Sequence, residues 1–379
     1  MPAIKKSLST FIIFFTKLQF FILYIQYKLV HKINYSVIIN FATKNITMIN
    51  AEIISKWRED ILNNLNSDDF NILLEKIEKQ NPTFIPKFVN TAIINIFEAL
   101  EPSKYEKWIK NYNIPKEEKT LGIVCAGNIP AVGFFDIFMG LVSNHKVYVK
   151  LSHSDSILIP YLFEQLFKIV PSLKDKILYV DSIHNVKADK IIATGSNNAN
   201  RYFMQYFTNK KALLRHDRKS LAIINDDTTD EELNQLADDI FLYFGLGCRN
   251  VSLILLPRSF SLDKLQTAFK NYSWILDNLY YQEIYTYYQA YFSLMNEKYT
   301  TNEFYILRER LDLYAPISTI NYEYYDSPSE VEEFIKINKE NIQCIVGDNR
   351  FCNTKFGKTQ IPELDDYADG EDVMSFLTE

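Results

Sequence analysis

Cys248 is the residue of this chain best suited to chemistry. It stands in Phe244-Gly245-Leu246-Gly247-Cys248-Arg249-Asn250, between an amphipathic segment and a short apolar run. The two glycines let the backbone turn tightly and leave the thiol accessible. Arg249 beside it favours thiolate, the form that attacks carbonyl carbon. A buried packing cysteine is the alternative reading of such a residue. Cys125, Cys344 and Cys352 fall at the end of an apolar run, inside another and in a loop, which are structural positions. No C-x-x-C pair occurs and the five histidines do not cluster with the cysteines. Neither a zinc site nor a disulfide scaffold is expected. Free thiols suit a reducing cytoplasm, the expected compartment.

Three polar loops are candidate ligand contacts: Gly127-Asn128-Ile129-Pro130, Ser152-His153-Ser154 and Gly195-Ser196-Asn197. Each follows a short apolar run, so each falls beyond the carboxyl end of a strand, where open α/β sheets bind ligands. Ordinary βα turns look the same. There is no G-x-G-x-x-G and no P-loop, so neither a conventional dinucleotide fingerprint nor an NTPase is indicated.

The elements that must hold these loops alternate. Leu121–Cys125, Lys146–Leu151, Lys176–Val180 and Lys190–Thr194 read as strands. Ala131–Val142, Ile157–Ile169 and Asn198–Phe207 read as the helices between them. That alternation predicts βαβ units and a doubly wound sheet. A second unit begins near Ser220, with strands at Leu221–Ile224, Val251–Leu256, Ile317–Tyr322 and Ile342–Val346. Leu233, Leu236, Ala237, Ile240, Phe241 and Phe244 mark an amphipathic helix. Thr229 with Glu232 is its expected capping box and Gly245 its stop. Ser327-Pro328-Ser329-Glu330 predicts a second capping box, with Pro at the first helical position. Residues 50–118 read as helical, broken at Pro82, Pro86, Pro102 and Pro115, and suit packing or subunit contacts in a homo-oligomer. Residues 270–305 are rich in tyrosine and phenylalanine. They fit the wall of an apolar tunnel, simple packing or a subunit interface.

Taken in order, the motifs resemble the aldehyde dehydrogenase superfamily, and most closely its fatty acyl-CoA reductase (LuxC-like) branch. Gly127-Asn128-Ile129-Pro130 resembles the family's first turn, Lys150-Leu151-Ser152 its strand-end Lys-x-Ser, and Thr194-Gly195-Ser196 its T-G-S. Lys219-Ser220 with Ile223-Ile224 resembles the entry to the catalytic unit, and Gly245-Leu246-Gly247-Cys248 the nucleophile loop. Asp312-Leu313-Tyr314-Ala315-Pro316 resembles the acidic-x-aromatic-small-Pro element. Phe356-Gly357-Lys358 and Tyr367-Ala368-Asp369-Gly370 resemble the tail of the acyl-CoA reductase branch. The resemblance spans roughly residues 60–379.

It implies two Rossmann-like units with a helical N-terminal region. The implied division is 48–118 helical, 119–219 NADP-binding, 220–348 catalytic, and 349–379 a tail packing back on the body. Cys248 would be the nucleophile and Asn128 an oxyanion donor. Lys150, Ser152, His153, Gly195, Ser196 and Asp312 would contact the cofactor. Hydrolytic aldehyde dehydrogenases carry a general-base Glu where this chain has Arg215-His216-Asp217-Arg218-Lys219. A reductase that starts from a thioester does not need to activate water, so the absence favours acyl-CoA reduction, with His216 available as acid or base. His153 replaces the acidic contact to an adenosine ribose, which favours NADPH and leaves NADH open. Asp312 stands for the family's Glu near the nicotinamide ribose. The implied substrate is a long-chain acyl-CoA or acyl-carrier-protein thioester. A cysteine acyltransferase or thioesterase without hydride transfer, and an acyl-phosphate reductase, are the competing enzyme readings.

Charge is uneven along the chain. Six of the 41 basic residues and none of the 47 acidic ones fall in residues 1–50, which leaves the remainder at −12. That acidity argues against nucleic acid as a partner. Phe11–Ile25 is apolar but interrupted by Lys17 and Gln19, and shorter than the roughly 20 residues of a spanning helix. Residues 1–47 are therefore expected to be upstream translation or a leader rather than a membrane span, with Met48 the natural start. Glycine is scarce: there are ten, and four fall between Gly122 and Gly140.

Overall fold

The computed structural model describes residues 49–379. The expected leader lies outside the described residues. Helices α1 (Ala51–Asn64) and α2 (Asp68–Gln80) open on Asn50 and Ser67, whose side chains accept from Ile53 and Phe70 N–H groups. Helices α3 (Pro86–Ala99) and α4 (Pro102–Ile109) begin at prolines, where a missing N–H costs nothing. The expected breaks at Pro86 and Pro102 are thus helix starts. Trp57 on α1 is fully buried and donates to the Leu162 carbonyl, which docks this helical layer on the body.

The first sheet contains β1 (Lys119–Val124), β2 (His145–Lys150), β3 (Ile177–Tyr179), β4 (Lys190–Thr194) and β5 (Lys211–Arg215). All pairings are parallel, in the order β3-β2-β1-β4-β5. Helices α5 (Phe134–Val142), α6 (Leu158–Ile169) and α7 (Asn197–Tyr206) accompany it. The central strands β1 and β4 bury consecutive residues, Leu121–Ile123 and Lys190–Ala193, as the middle of a parallel sheet covered on both faces requires. Strand order reverses between β1 and β4, and a crevice opens beyond their carboxyl ends. Strand β5 is not legible in the pattern, because only Leu213 and Arg215 of its five residues are buried. Helix α5 starts three residues later than expected. Ala131 takes a φ of 56°, and a Cβ on Gly133 would lie 2.5 Å from the Cys125 sulfur, so the chain turns before it coils.

The second sheet contains β6 (Lys219–Ile223), β7 (Val251–Pro257), β8 (Thr300–Thr301), β9 (Ile306–Glu309), β10 (Thr319–Tyr325) and β11 (Ile342–Val346). Its order is β11-β6-β7-β10-β9-β8, parallel except for the β8–β9 pair. Helices α8 (Asp230–Phe241), α9 (Asp263–Phe269), α10 (Leu279–Leu294) and α11 (Pro328–Asn338) connect its strands. The capping box at Thr229 and Glu232 is formed. The one expected at Ser327 is not. Glu330 instead accepts from the Asp326 N–H, so only the proline half of that signal holds. Helix α12 (Val373–Thr378) closes the chain and buries Val373, Met374 and Leu377 in the core of the first sheet. No helix among the described residues is long and apolar enough to cross a membrane.

Candidate active site

The loop carrying Cys248 is built by an unusual helix exit. Helix α8 ends at Phe241, short of the expected Gly245. Tyr243, Phe244 and Gly245 follow with φ of 55°, 56° and 73°. Two aromatic residues in the left-handed region cost of order 1 kcal/mol or more each, so the surroundings must hold them. Asn250 does much of this. Its Oδ1 accepts from Gly247 N–H at 2.8 Å, and its Nδ2 donates to the carbonyls of Asp239, Ile240 and Leu242. Phe244 is fully buried against Phe88 and Tyr281. Ser220 donates to the Cys248 carbonyl and accepts from Cys344 N–H, both at 3.1 Å, which ties the loop to β6 and β11.

Asn128 reaches the same loop from the first sheet. Its Nδ2 donates to the Leu246 carbonyl at 2.7 Å. One amide hydrogen is thereby engaged, and the other remains for a ligand.

Arg249 does not point its charge freely at the thiol. It forms a two-pronged ion pair with Asp366, at 2.8 and 2.9 Å, and donates to the Asp366 carbonyl. Burial raises the Cys248 pKa; Arg249 and Lys219 oppose the shift, and Cys344 and Asp369 add to it. The expectation that Arg249 favours thiolate is right in direction, but desolvation outweighs it. In this state the thiol is neutral at physiological pH.

A cavity of about 1080 Å³ lies beyond the carboxyl ends of β1 and β4. Asn128, Lys150, Gly195, Ser196, His216 and Cys248 all line it. Gly127 and Gly195 shape its floor: a Cβ on Gly127 would lie 2.4 Å from Ser152, and one on Gly195 2.9 Å from Ala199. Ser196 caps α7 by accepting from Ala199 N–H. His216 Nδ1 lies 3.2 Å from the Asp217 carbonyl.

Three expected contacts do not border the cavity. Ser152 packs against Gly127 and caps a single 3-10 turn, in which His153 is exposed. Asp312 ion-pairs with Arg310 at 3.4 Å and accepts from Tyr314 N–H. No residue of the tyrosine-rich 270–305 segment lines it either; Tyr281, Tyr285 and Phe292 of α10 are packing residues.

Sequence reading missed several groups here. Asp136 of α5 and Arg215 form a buried ion pair at 2.7 Å, and both border the cavity. Asp369 also borders it, 3.3 Å from Arg218, with a pKa raised by burial against the pull of Arg218, Arg215 and His216. Asp369 stood in the sequence only within Tyr367-Ala368-Asp369-Gly370, a family-like tail motif to which no role at the site was attached. No group of three or more His, Cys, Asp or Glu among the described residues could hold a metal.

The architecture has clear counterparts. Aldehyde dehydrogenase 21 from Physcomitrella patens, solved with succinate, aligns with a TM-score of 0.65 at 11% identity, covering 87% of this chain and 84% of that one. Methylmalonate-semialdehyde dehydrogenase from Oceanimonas doudoroffii aligns at 0.60 and 12% identity with the same coverages. An aldehyde dehydrogenase from Mycobacterium tuberculosis complexed with NAD+ aligns at 0.58 and 14%, covering 78% and 72%. No curated protein sequence matches the chain. The fold is that of the aldehyde dehydrogenase superfamily, with a cysteine at the junction of its two sheets. Residues 74–263 match the family model of the acyl-CoA reductases (LuxC), and the chain belongs to that family.

Proposed function

We propose that this oxidoreductase reduces an acyl thioester of coenzyme A or acyl-carrier protein to the aldehyde through an acyl-Cys248 intermediate, with NADPH as reductant. The observation that carries the reading is the position of Cys248. It lies in the wall of a cavity of about 1080 Å³, together with Asn128 and His216, with no glutamate among the lining residues. That volume lies at the upper end of small-molecule sites, about 300–1000 Å³, and suits a dinucleotide. The crevice at the strand-order reversal, the glycine floor and the Ser196 helix cap suit its pyrophosphate and ribose. Lys150 would meet a 2′-phosphate, which is the basis for NADPH.

Cys248 sulfur attacks the thioester carbonyl. A new C–S bond forms, the bond to the pantetheine sulfur breaks, and that thiolate leaves with a proton. Thiol exchange between thioesters is nearly isoenergetic, so this step needs positioning more than driving force. The free amide hydrogen of Asn128 and the Cys248 N–H hold the oxyanion, each donor contributing roughly 2.7–4 kcal/mol. When bound in the cavity, a reduced nicotinamide would supply the hydride. His216 gives a proton to the oxygen of the resulting hemithioacetal and takes it back as the C–S bond breaks, releasing aldehyde and the Cys248 thiolate. No carboxylate is needed to activate water.

The test is intact-mass analysis with a panel of acyl-CoAs, followed by NADPH. The expected result is a stoichiometric acyl adduct on Cys248 that disappears as aldehyde forms and NADPH absorbance falls. A Cys248→Ala protein that still makes aldehyde would overturn the scheme. An adduct that turns over without NADPH would favour an acyltransferase or thioesterase.

A further inference from the structure

No residue of Asp312-Leu313-Tyr314-Ala315-Pro316 borders the cavity, yet several side chains fix this stretch in place. It lies between β9 and β10. Asn321 of β10, fully buried, donates from Nδ2 to the Asp312 carbonyl at 2.8 Å. Ser252 of β7 donates to the Leu313 carbonyl at 2.6 Å. Asp312 Oδ1 accepts from Tyr314 N–H at 2.9 Å, which closes an Asx-type turn. Leu313 is buried, so the turn is anchored below and presents Tyr314 above, 39% exposed.

The Tyr314 hydroxyl donates to the Asp217 carbonyl at 3.2 Å. Burial raises the Tyr314 pKa, with Asp217 and Asp312 adding to the shift and Arg218 opposing it, so the hydroxyl keeps the proton it donates. Asp217 lies in the segment that passes from β5 of the first sheet to β6 of the second. The same carbonyl lies 3.2 Å from His216 Nδ1. A carbonyl oxygen has two lone pairs and no proton, so it accepts from both groups, and Nδ1 carries the imidazole hydrogen. Nε2 is the nitrogen left to exchange a proton. At the start of α7, Asn197 Oδ1 accepts from Asp217 N–H at 3.3 Å. Asp217 is thus held from both sheets, and the His216 ring is tied to it. His216 borders the cavity together with Cys248.

Resting on the acyl-Cys248 reading and on His216 as its acid and base, we infer that Tyr314 is a positioning residue for His216. By holding the Asp217 carbonyl it fixes the tautomer and the place of the imidazole in the cavity wall. Asp312 serves the same end by closing the turn, which gives this motif a role other than cofactor contact. A hydrogen bond from so exposed a hydroxyl adds little to stability, because water replaces it when it is lost. Its effect falls on the orientation of the ring, and proton transfer depends on that orientation.

The test forms the acyl-Cys248 adduct first, then adds NADPH and follows adduct loss by intact mass in a single turnover. Tyr314→Phe removes one hydroxyl. It should leave the acylation rate and melting temperature unchanged and slow adduct loss about three- to tenfold, the weight of one neutral hydrogen bond. Asp312→Ala should also slow adduct loss, with KM for NADPH unchanged. In a His216→Ala background, Tyr314→Phe should change nothing further, because the two residues act as one unit. Adduct loss at the wild-type rate in Tyr314→Phe, or an undiminished effect in the His216→Ala background, would overturn the Tyr314 role and leave the thioester chemistry standing. A raised KM for NADPH in Asp312→Ala would return that residue to the cofactor and overturn its role in the turn. If His216→Ala itself loses adduct at the wild-type rate, His216 is not the acid and the inference falls with it. Failure of every thioester to form the adduct would overturn the Cys248 reading as well.

Discussion

At the scale of single residues, the protonation state of Cys248 controls the first step. Burial holds its pKa above the ordinary thiol value of 9.0. Alkylation of Cys248 by iodoacetamide should therefore be slow at pH 7 and rise through a midpoint above 9, read by peptide mass spectrometry. A rate already maximal at pH 7 would show that Arg249 and Lys219 outweigh burial. Asn128 makes a second prediction. Replacing it with Ala removes one oxyanion donor and should lower kcat about 10²–10³-fold. The same change frees the Leu246 carbonyl, so melting temperature must be measured beside rate; a large fall in stability with intact kcat would make Asn128 a loop anchor only. Cys248, Asn128, Gly195 and Ser196 stood out because each sits in a glycine turn beside a strand, whereas Lys150 and His216 were reached only through the family resemblance. Asp136 was not legible, because it reaches the cavity only through its pairing with Arg215, 79 residues away in the chain, and Asp369 was visible only as part of a tail motif.

At the scale of elements, the turn after β1 depends on a buried carboxylate. Asp155 Oδ2 accepts from Ala131 N–H at 2.7 Å, while Oδ1 is buried without a partner. Ala131 is the residue forced to positive φ before α5. Burial raises the Asp155 pKa to about 7, above the roughly 3.9 of an unfolded chain. Between those values the folded state holds the extra proton, so stability falls as pH rises. The loss should approach, on the order of, 4 kcal/mol at pH 8 relative to pH 4. Urea denaturation of Asp155→Asn should lack that component; an identical pH profile in both proteins would remove Asp155 from the account. Most strands and helices were legible because parallel strands between capped helices leave strong local signals. Strand β5 was not, having a half-exposed face, and the end of α8 was misplaced. The apolar period continues through Phe244, but Asn250 hydrogen bonds and packing on Phe88 hold Tyr243–Gly245 left-handed, a tertiary effect invisible in periodicity.

At the scale of the whole molecule, the tail joins the two sheets at the site. Arg249 pairs with Asp366 and Arg218 with Asp369, and Ala368 and Asp369 line the large cavity that Cys248 borders, so one irregular segment helps to wall the site. That segment is held at its far end by α12, which packs on α5, and Lys190 donates to the Phe376 and Leu377 carbonyls. Met374 and Leu377 are fully buried in the core of the first sheet. Leu377→Ala should thus cost about 2–5 kcal/mol in urea denaturation, as for other buried leucines. The same variant carries a functional consequence that a remote core mutation does not. Loosening α12 frees Asp366 and Asp369, so under conditions where the variant is still folded its Cys248 acylation rate should fall while bulk stability remains adequate. Leu166→Ala, equally buried in α6 but without a link to the tail, is the control. If both variants lose stability and neither loses acylation at matched folded fraction, the tail is a cover for the core and plays no part in positioning the site.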